Sequence, residues 1–221
     1  MWCIPEKSAA YVACMEDVLD LYEQPYDPLR PQVCFDEWRR ALISETRLSL
    51  PPKPGEPMRY DYEYRRHGVA YLNMFFEPLT ARRHVLVTAT HTMQDFAACM
   101  QWLVDELYPH AEVIRVVLDN LSTHKPAALY ATFPPAEARR ILKKLAFHFT
   151  PKHGSWLNMA EIELSVYGRT LQTYLPDIET FACEALALTK ERNHAQSTVN
   201  WQFRTPNARI KLKQLYPSIS S

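Results

Sequence analysis

No apolar run in the sequence approaches the roughly 18 residues that would cross a bilayer, so no transmembrane helix is expected. The opening "MWCIPEKSAAYV" lacks the basic-then-apolar layout of a secretion signal. Net charge is also missing: Lys+Arg and Asp+Glu are both 25. That argues against adhesion to nucleic acid through overall charge, while leaving room for a local basic groove. No CxxC pair occurs. The five cysteines (Cys3, Cys14, Cys34, Cys99, Cys183) are odd in number and far apart, as reduced thiols of a cytoplasmic protein would be, and form neither a disulfide framework nor a zinc site. Repeats and low-complexity tracts are absent.

What remains is the composition of a soluble globular protein, 47% hydrophobic and 23% charged over 221 residues. A chain of this length buries roughly 70% of the surface its unfolded form exposes, enough for one core. Residues 9–23 place Val12, Met15, Leu19 and Tyr22 at helical spacing; "QPYDPLRP" then ends that helix. Residues 1–30 thus read as a helix and linker ahead of a domain spanning 31–221. "QVCFDEW" reads as a short strand with Asp36 near its end, and 50–57, "LPPKPGEP", as a loop. "GVAYLNMFF" and "RRHVLVTAT" form a β-hairpin around "EPLTA". Thr92 and Asp95 make a capping-box pattern at the head of a helix carrying Met93, Phe96, Ala97, Met100, Leu103, Val104 and Leu107 on one face. A strand at 112–118, a helix in "PPAEARRILKKL", a strand in "AFHFT" and two further helices complete the chain. Strands that meander and then alternate with helices predict an α/β fold, a mixed sheet between helices.

In such a sheet, polar residues at the C-terminal ends of strands open into a cleft. Asp36 and Asp119 both close apolar strands, although Asp119-Asn120 is equally good turn chemistry. A third acid lies in "SWLNMAEIELSV", a helix for which Ser155 reads as the N-cap and Leu157, Ala160, Leu164, Tyr167 and Leu171 as the buried stripe. Glu161 and Glu163 each sit about 80° from the centre of that stripe, on opposite sides, and periodicity does not choose between them. Carboxylates are hard ligands suited to Mg²⁺ or Mn²⁺, and two such ions about 4 Å apart serve in-line displacement at phosphorus.

Together, "VCFDE", "VVLDNLSTHK" and "FTPKHGSWLNMAEIELSVYGR" resemble the catalytic domain of DDE transposases, most of all the bacterial insertion-sequence branch related to mariner elements. Residues 54–68, "RTLQTYLPDIETF" and "WQFRTPNARIKLKQLYP" extend the resemblance over nearly the whole chain. It implies a ribonuclease H-like fold with a mixed five-stranded sheet flanked by helices. Asp36, Asp119 and Glu161 would hold two Mg²⁺ or Mn²⁺ ions and catalyse cleavage and strand transfer of DNA. The Asp-Asn-x-x-x-His motif is matched by Asp119, Asn120 and His124. The Asn-x-x-Glu motif is matched by Asn158 and Glu161, which favours Glu161 over Glu163. The 41 residues between Asp119 and Glu161 exceed the spacing of mariner-type elements; the surplus falls around "YATFPPAEARRILKKL", a surface helix.

In such an enzyme Lys152, His153, Arg139, Arg140, Lys143 and Lys144, with Arg65, Arg66, Arg82 and Arg83 around the hairpin, are natural phosphate contacts. Trp38, Trp156 and Trp201 are expected in the core. The resemblance implies DNA as partner, a homodimer, and a cytoplasmic, nucleoid-associated protein. Only some 35 residues precede Asp36, too few for the helix-turn-helix modules that read element ends, so a catalytic-domain fragment is expected. The alternatives are a silent remnant that only binds DNA or oligomerises, and a general ribonuclease H-like nuclease.

Overall fold

The computed structural model describes residues 8–47, 55, 63–172 and 174–217. Cys3, the predicted loop at 50–57 apart from Gly55, and part of the 54–68 block lie outside them.

A five-stranded sheet runs in the order β3-β2-β1-β4-β5. Strands β1 (Gln32–Glu45), β2 (Tyr64–Glu77) and β3 (Arg82–Thr88) form an antiparallel meander; β4 (Ile114–Leu118) and β5 (Leu145–Phe149) add on in parallel. Helix α1 (Ala9–Tyr22), capped by Ser8, precedes the sheet. Helices α2 (Met93–Trp102), α3 (Pro126–Thr132), α4 (Pro135–Lys143), α5 (Met159–Thr170), α6 (Ile178–His194) and α7 (Thr205–Lys211) follow in order. The mixed sheet between helices predicted from the sequence is therefore present. Thr92 and Asp95 form the predicted capping box. Among the described residues, no helix is long and apolar enough to cross a membrane.

Side chains of a strand alternate between its two faces, and here both faces are covered. Cys34, Leu72, Met74, Phe76 and Val117 pack with α1, α5, α6 and α7. Val33, Phe35, Phe75, Val116 and Leu118 pack with α2, α3 and α4 on the other side. Trp38, Trp156 and Trp201 lie partly buried against the first of these clusters, as expected.

Four expectations are corrected. First, β1 does not end near Asp36. Antiparallel pairing with β2 carries it on to Glu45, through a bulge at Gly68, whose φ of +104° favours a residue without a side chain. Second, Ser155 does not cap α5: residues 155–157 form a 3-10 turn, and Asn158 is the cap. Third, two short helices, α3 and α4, stand where one was expected, each with proline in its first turn. Fourth, α7 was not foreseen; seven residues give too little periodicity to read.

Candidate active site

Parallel pairing of β1 with β4 stops at Cys34–Val117, and β4 itself stops at Leu118. The same register carried on by two residues sets Asp36 level with Asp119. Asp36 is thus in mid-strand, yet stands where β1 outruns its parallel neighbour and the sheet opens. By the period of two, Asp36 shares the face of Cys34, toward α5, while Asp119 follows the end of β4.

That helix brings Glu161. Asn158 caps it by accepting a hydrogen bond from the Ala160 amide (3.1 Å), while its Nδ2 donates to the Phe35 carbonyl (2.8 Å), one residue before Asp36. One buried amide side chain therefore starts the helix and ties it to the strand bearing the first aspartate. Asp36, Glu37, Trp38, Glu161, Leu164, Ser165 and Gly168 line a cleft of about 370 Å³. Burial, followed by the charges of Glu37, Glu161 and Asp119, pushes the Asp36 carboxyl up to about 7, against the hydrogen bond it accepts from the Glu37 amide. A half-open cleft whose oxygens repel one another and hold no basic side chain in its lining suits a hard divalent cation.

Glu163 has the other role. It is buried and accepts from Arg83 Nε (2.6 Å) and Nη2 (3.0 Å) and from Arg192 (2.9 Å to each oxygen). Burial would raise its pKa, but the two guanidinium groups more than offset that and hold it below the usual range. Arg83, expected among the phosphate contacts, is fully buried in this pair and also reaches the Ala81 carbonyl. It is a structural residue.

Behind the cleft lies a cluster not anticipated from the sequence. Glu37 is the neighbour of Asp36 and therefore points to the opposite face. His124 bridges the two faces: its Nδ1 is 2.5 Å from Asp119 Oδ1 and its Nε2 is 2.7 Å from Glu37 Oε1. The ring is buried between Phe35 and Phe96. Burial opposes its charge, but the bonds to Asp119 and Glu37 prevail and push it up to about 9. His91, in the turn after β3, stacks on Tyr71 and points its Nε2 at Glu37 Oε1 from 3.2 Å. The tandem acids at 36–37 were the available signal, since adjacent strand residues face opposite ways; what would meet Glu37 was not legible.

Asn120 is exposed and accepts from Lys125. Lys152 and His153 are exposed on the turn between β5 and α5, His153 with φ +64°. Arg139, Arg140, Lys143 and Lys144 belong to α4 and its C-terminus, which delivers the chain to the start of β5; the Lys144 carbonyl accepts from the Ile114 amide at the start of β4. That is the end of the parallel strands opposite Asp119, about five residues or 16 Å away. Arg140 is held by Asp105 and Glu137, and Lys144 donates to the Pro109 carbonyl.

A ribonuclease H-like sheet with Asp36 and Glu161 lining one cleft, and Asp119 at the end of the neighbouring parallel strand, fits the class of metal-dependent enzymes acting on phosphodiesters. Residues 31–182 match the DDE superfamily endonuclease family, and the chain belongs to it. Its fold matches solved structures of Mos1 transposase. These are the Mos1 mariner paired-end complex with Mn (13% identity, TM-score 0.55, 89% of this chain and 61% of that one) and the Mos1 strand transfer complex (12%, 0.57, 89% and 61%). The Mos1 paired-end complex with the left transposon end gives 14%, 0.56, 89% and 60%. The chain thus spans about three fifths of the length of those proteins. A comparison with curated protein sequences finds no match.

Proposed function

We propose that this chain is the catalytic domain of a DNA transposase, with Asp36, Asp119 and Glu161 holding two Mg²⁺ or Mn²⁺ ions. The observation that carries this reading is the meeting of Asp36 and Glu161 at one cleft, with Asp119 close enough to raise the Asp36 pKa, in a member of the DDE superfamily endonuclease family. When bound, the ions would supply a polarised water and a charge partner for the leaving oxygen.

The chain's own groups do the rest. Asn158 holds Glu161 against β1, and His124 holds Asp119. The open cleft admits a DNA backbone, with Lys152 and His153 exposed on the turn leading into α5. In the first step a water oxygen bonds to phosphorus, the bond from phosphorus to the 3′-oxygen breaks, and that oxygen leaves as a 3′-hydroxyl. In the second, the 3′-hydroxyl bonds to a phosphorus of target DNA and displaces the 3′-oxygen there, with the protons passing to solvent. A homodimer would bring two DNA ends together.

The test is nicking of DNA carrying element ends in Mn²⁺, with Asp36→Asn, Asp119→Asn and Glu161→Gln beside the parent. Each variant should lose at least about 100-fold, the upper limit of what removing a group behind a metal ligand costs. Undiminished nicking by Asp119→Asn overturns the assignment. An RNA–DNA hybrid cut faster than DNA would point instead to a general ribonuclease H-like nuclease.

A further inference from the structure

We propose that Glu37, His91 and His124 form a second cation site, distinct from the three carboxylates and selective for a nitrogen-seeking transition ion of the Zn²⁺ type. The carrying observation is convergence: one carboxylate oxygen and two imidazole nitrogens, from three different segments, lie within 4.8 Å of one another. Glu37 Oε1 stands 2.7 Å from His124 Nε2 and 3.2 Å from His91 Nε2. A tetrahedral ion with ligands at about 2.0–2.2 Å needs those ligands roughly 3.3–3.6 Å apart, so the two pairs with Glu37 would open by less than about 1 Å while the two imidazole nitrogens, within 4.8 Å, settle to the same spacing.

Three further features favour a metal over a purely internal hydrogen-bond cluster. The Nε2 of His91 is buried and faces Glu37 Oε1 at 3.2 Å without the alignment of a good hydrogen bond. Its ring is nevertheless held in place, stacked on Tyr71 at 5.3 Å and 20°. The far nitrogen of His124 is fixed by a carboxylate, Asp119, the outer partner that metal-binding histidines commonly carry. Glu37 and His124 are almost wholly buried whereas the His91 side chain is 28% exposed, so the open side of the cluster leaves a fourth position to water.

The two donor sets sort ions by chemistry. Asp36, Asp119 and Glu161 offer only oxygen and suit Mg²⁺. Two imidazoles and one carboxylate suit Zn²⁺ or Co²⁺, which Mg²⁺ does not displace from nitrogen. An ion bound there takes the place of the direct His124 Nε2–Glu37 contact, leaves the Nδ1 contact to Asp119 intact, and joins the turn after β3 to β1 and to the segment after β4.

The experiment uses the full chain, stripped with a chelator and titrated with Co²⁺ in millimolar Mg²⁺, reading the visible absorption of tetrahedral Co²⁺ and then its displacement by Zn²⁺. One equivalent should bind in the parent and equally in Asp36→Asn and Glu161→Gln. His91→Ala, and His91→Gln as a second variant of this partly exposed side chain, should weaken binding at least about 100-fold, beyond the loss caused by removing an outer partner. Absence of the Co²⁺ signal in the parent, its removal by Mg²⁺, or its loss in Asp36→Asn with retention in His91→Ala would each overturn the proposal. Mg²⁺-dependent nicking by His91→Ala is expected to be unchanged. The site is therefore tested independently of the transposase reading.

Discussion

Asn158 makes two bonds, and each can be removed separately. Its Oδ1 accepts from the Ala160 amide; its Nδ2 donates to the Phe35 carbonyl. Asn158→Ala loses both, and the lost cap alone costs about 0.5–2 kcal/mol. Asn158→Asp keeps the cap and loses the tether. Thermal melts should therefore show the alanine variant less stable than the aspartate variant, while nicking falls about 10–100-fold in both, because Glu161 is no longer held against β1. Equal activity of Asn158→Asp and the parent would show that the cap suffices. Gly154 presents a steric version of the same dependence: a Cβ there would stand 2.6 Å from Pro151 Cγ, in a proline ring with little freedom to yield. Gly154→Ala should lower the melting temperature and shift the start of α5, reducing nicking with it.

Helix α5 separates two glutamates two residues apart into a cleft residue and a buried partner of arginine. Removing one member of a buried ion pair leaves its partner's charge uncompensated, which typically costs about 3–5 kcal/mol. Glu163→Gln should thus lower the melting temperature by about 6–20 °C for a chain of this size. The sign with pH follows from the depressed pKa of Glu163. The contribution is complete above the unfolded-state value near 4.3 and is lost as pH falls through the lower folded-state value. Urea melts at pH 7 and pH 3 should show the gap between parent and Glu163→Gln narrowing at the lower pH. A gap that widens in acid would contradict the pairing. A run such as Arg82-Arg83 carries no mark of which member turns inward; the alternation of β3 decides it, with Arg83, which completes this pair, on the same face as buried Val85.

For the molecule as a whole, the sheet is the frame. Its antiparallel half extends β1 well beyond β4, and its parallel half ends at the cleft. Among the described residues the cysteines take no covalent part: Cys14, Cys34, Cys99 and Cys183 are free, and burial pushes the Cys34 thiol up to about 11, away from reactivity. A reducing agent should leave the melting temperature unchanged, as measured in paired scans with and without it. A drop of several degrees would reveal a disulfide on which the fold depends. The basic residues of α4 stand at the opposite end of the parallel strands from the acids, so charge reversal at Arg139 and Lys143 should leave the nicking rate at saturating DNA unchanged and weaken only DNA affinity at low salt.

The sequence by itself determined the elements with long, regular patterns: the hairpin, the capped helix at 93, the β4 run ending at Asp119, and the buried stripe of α5. Hydrophobic periodicity and capping chemistry are local, and they survive translation into structure wherever neighbours are not needed to decide them. The motifs also marked Asp36, Asp119 and Glu161. Only the tertiary structure decided that Asp36 lies in mid-strand, since the length of β1 depends on its pairing with β2. It also decided that Asn158 rather than Ser155 begins α5, that Glu163 turns to Arg83 and Arg192, and that Glu37 meets two histidines distant in sequence. Each of these depends on which surface packs opposite a residue, a property of the folded sheet and its covering helices that no local pattern carries.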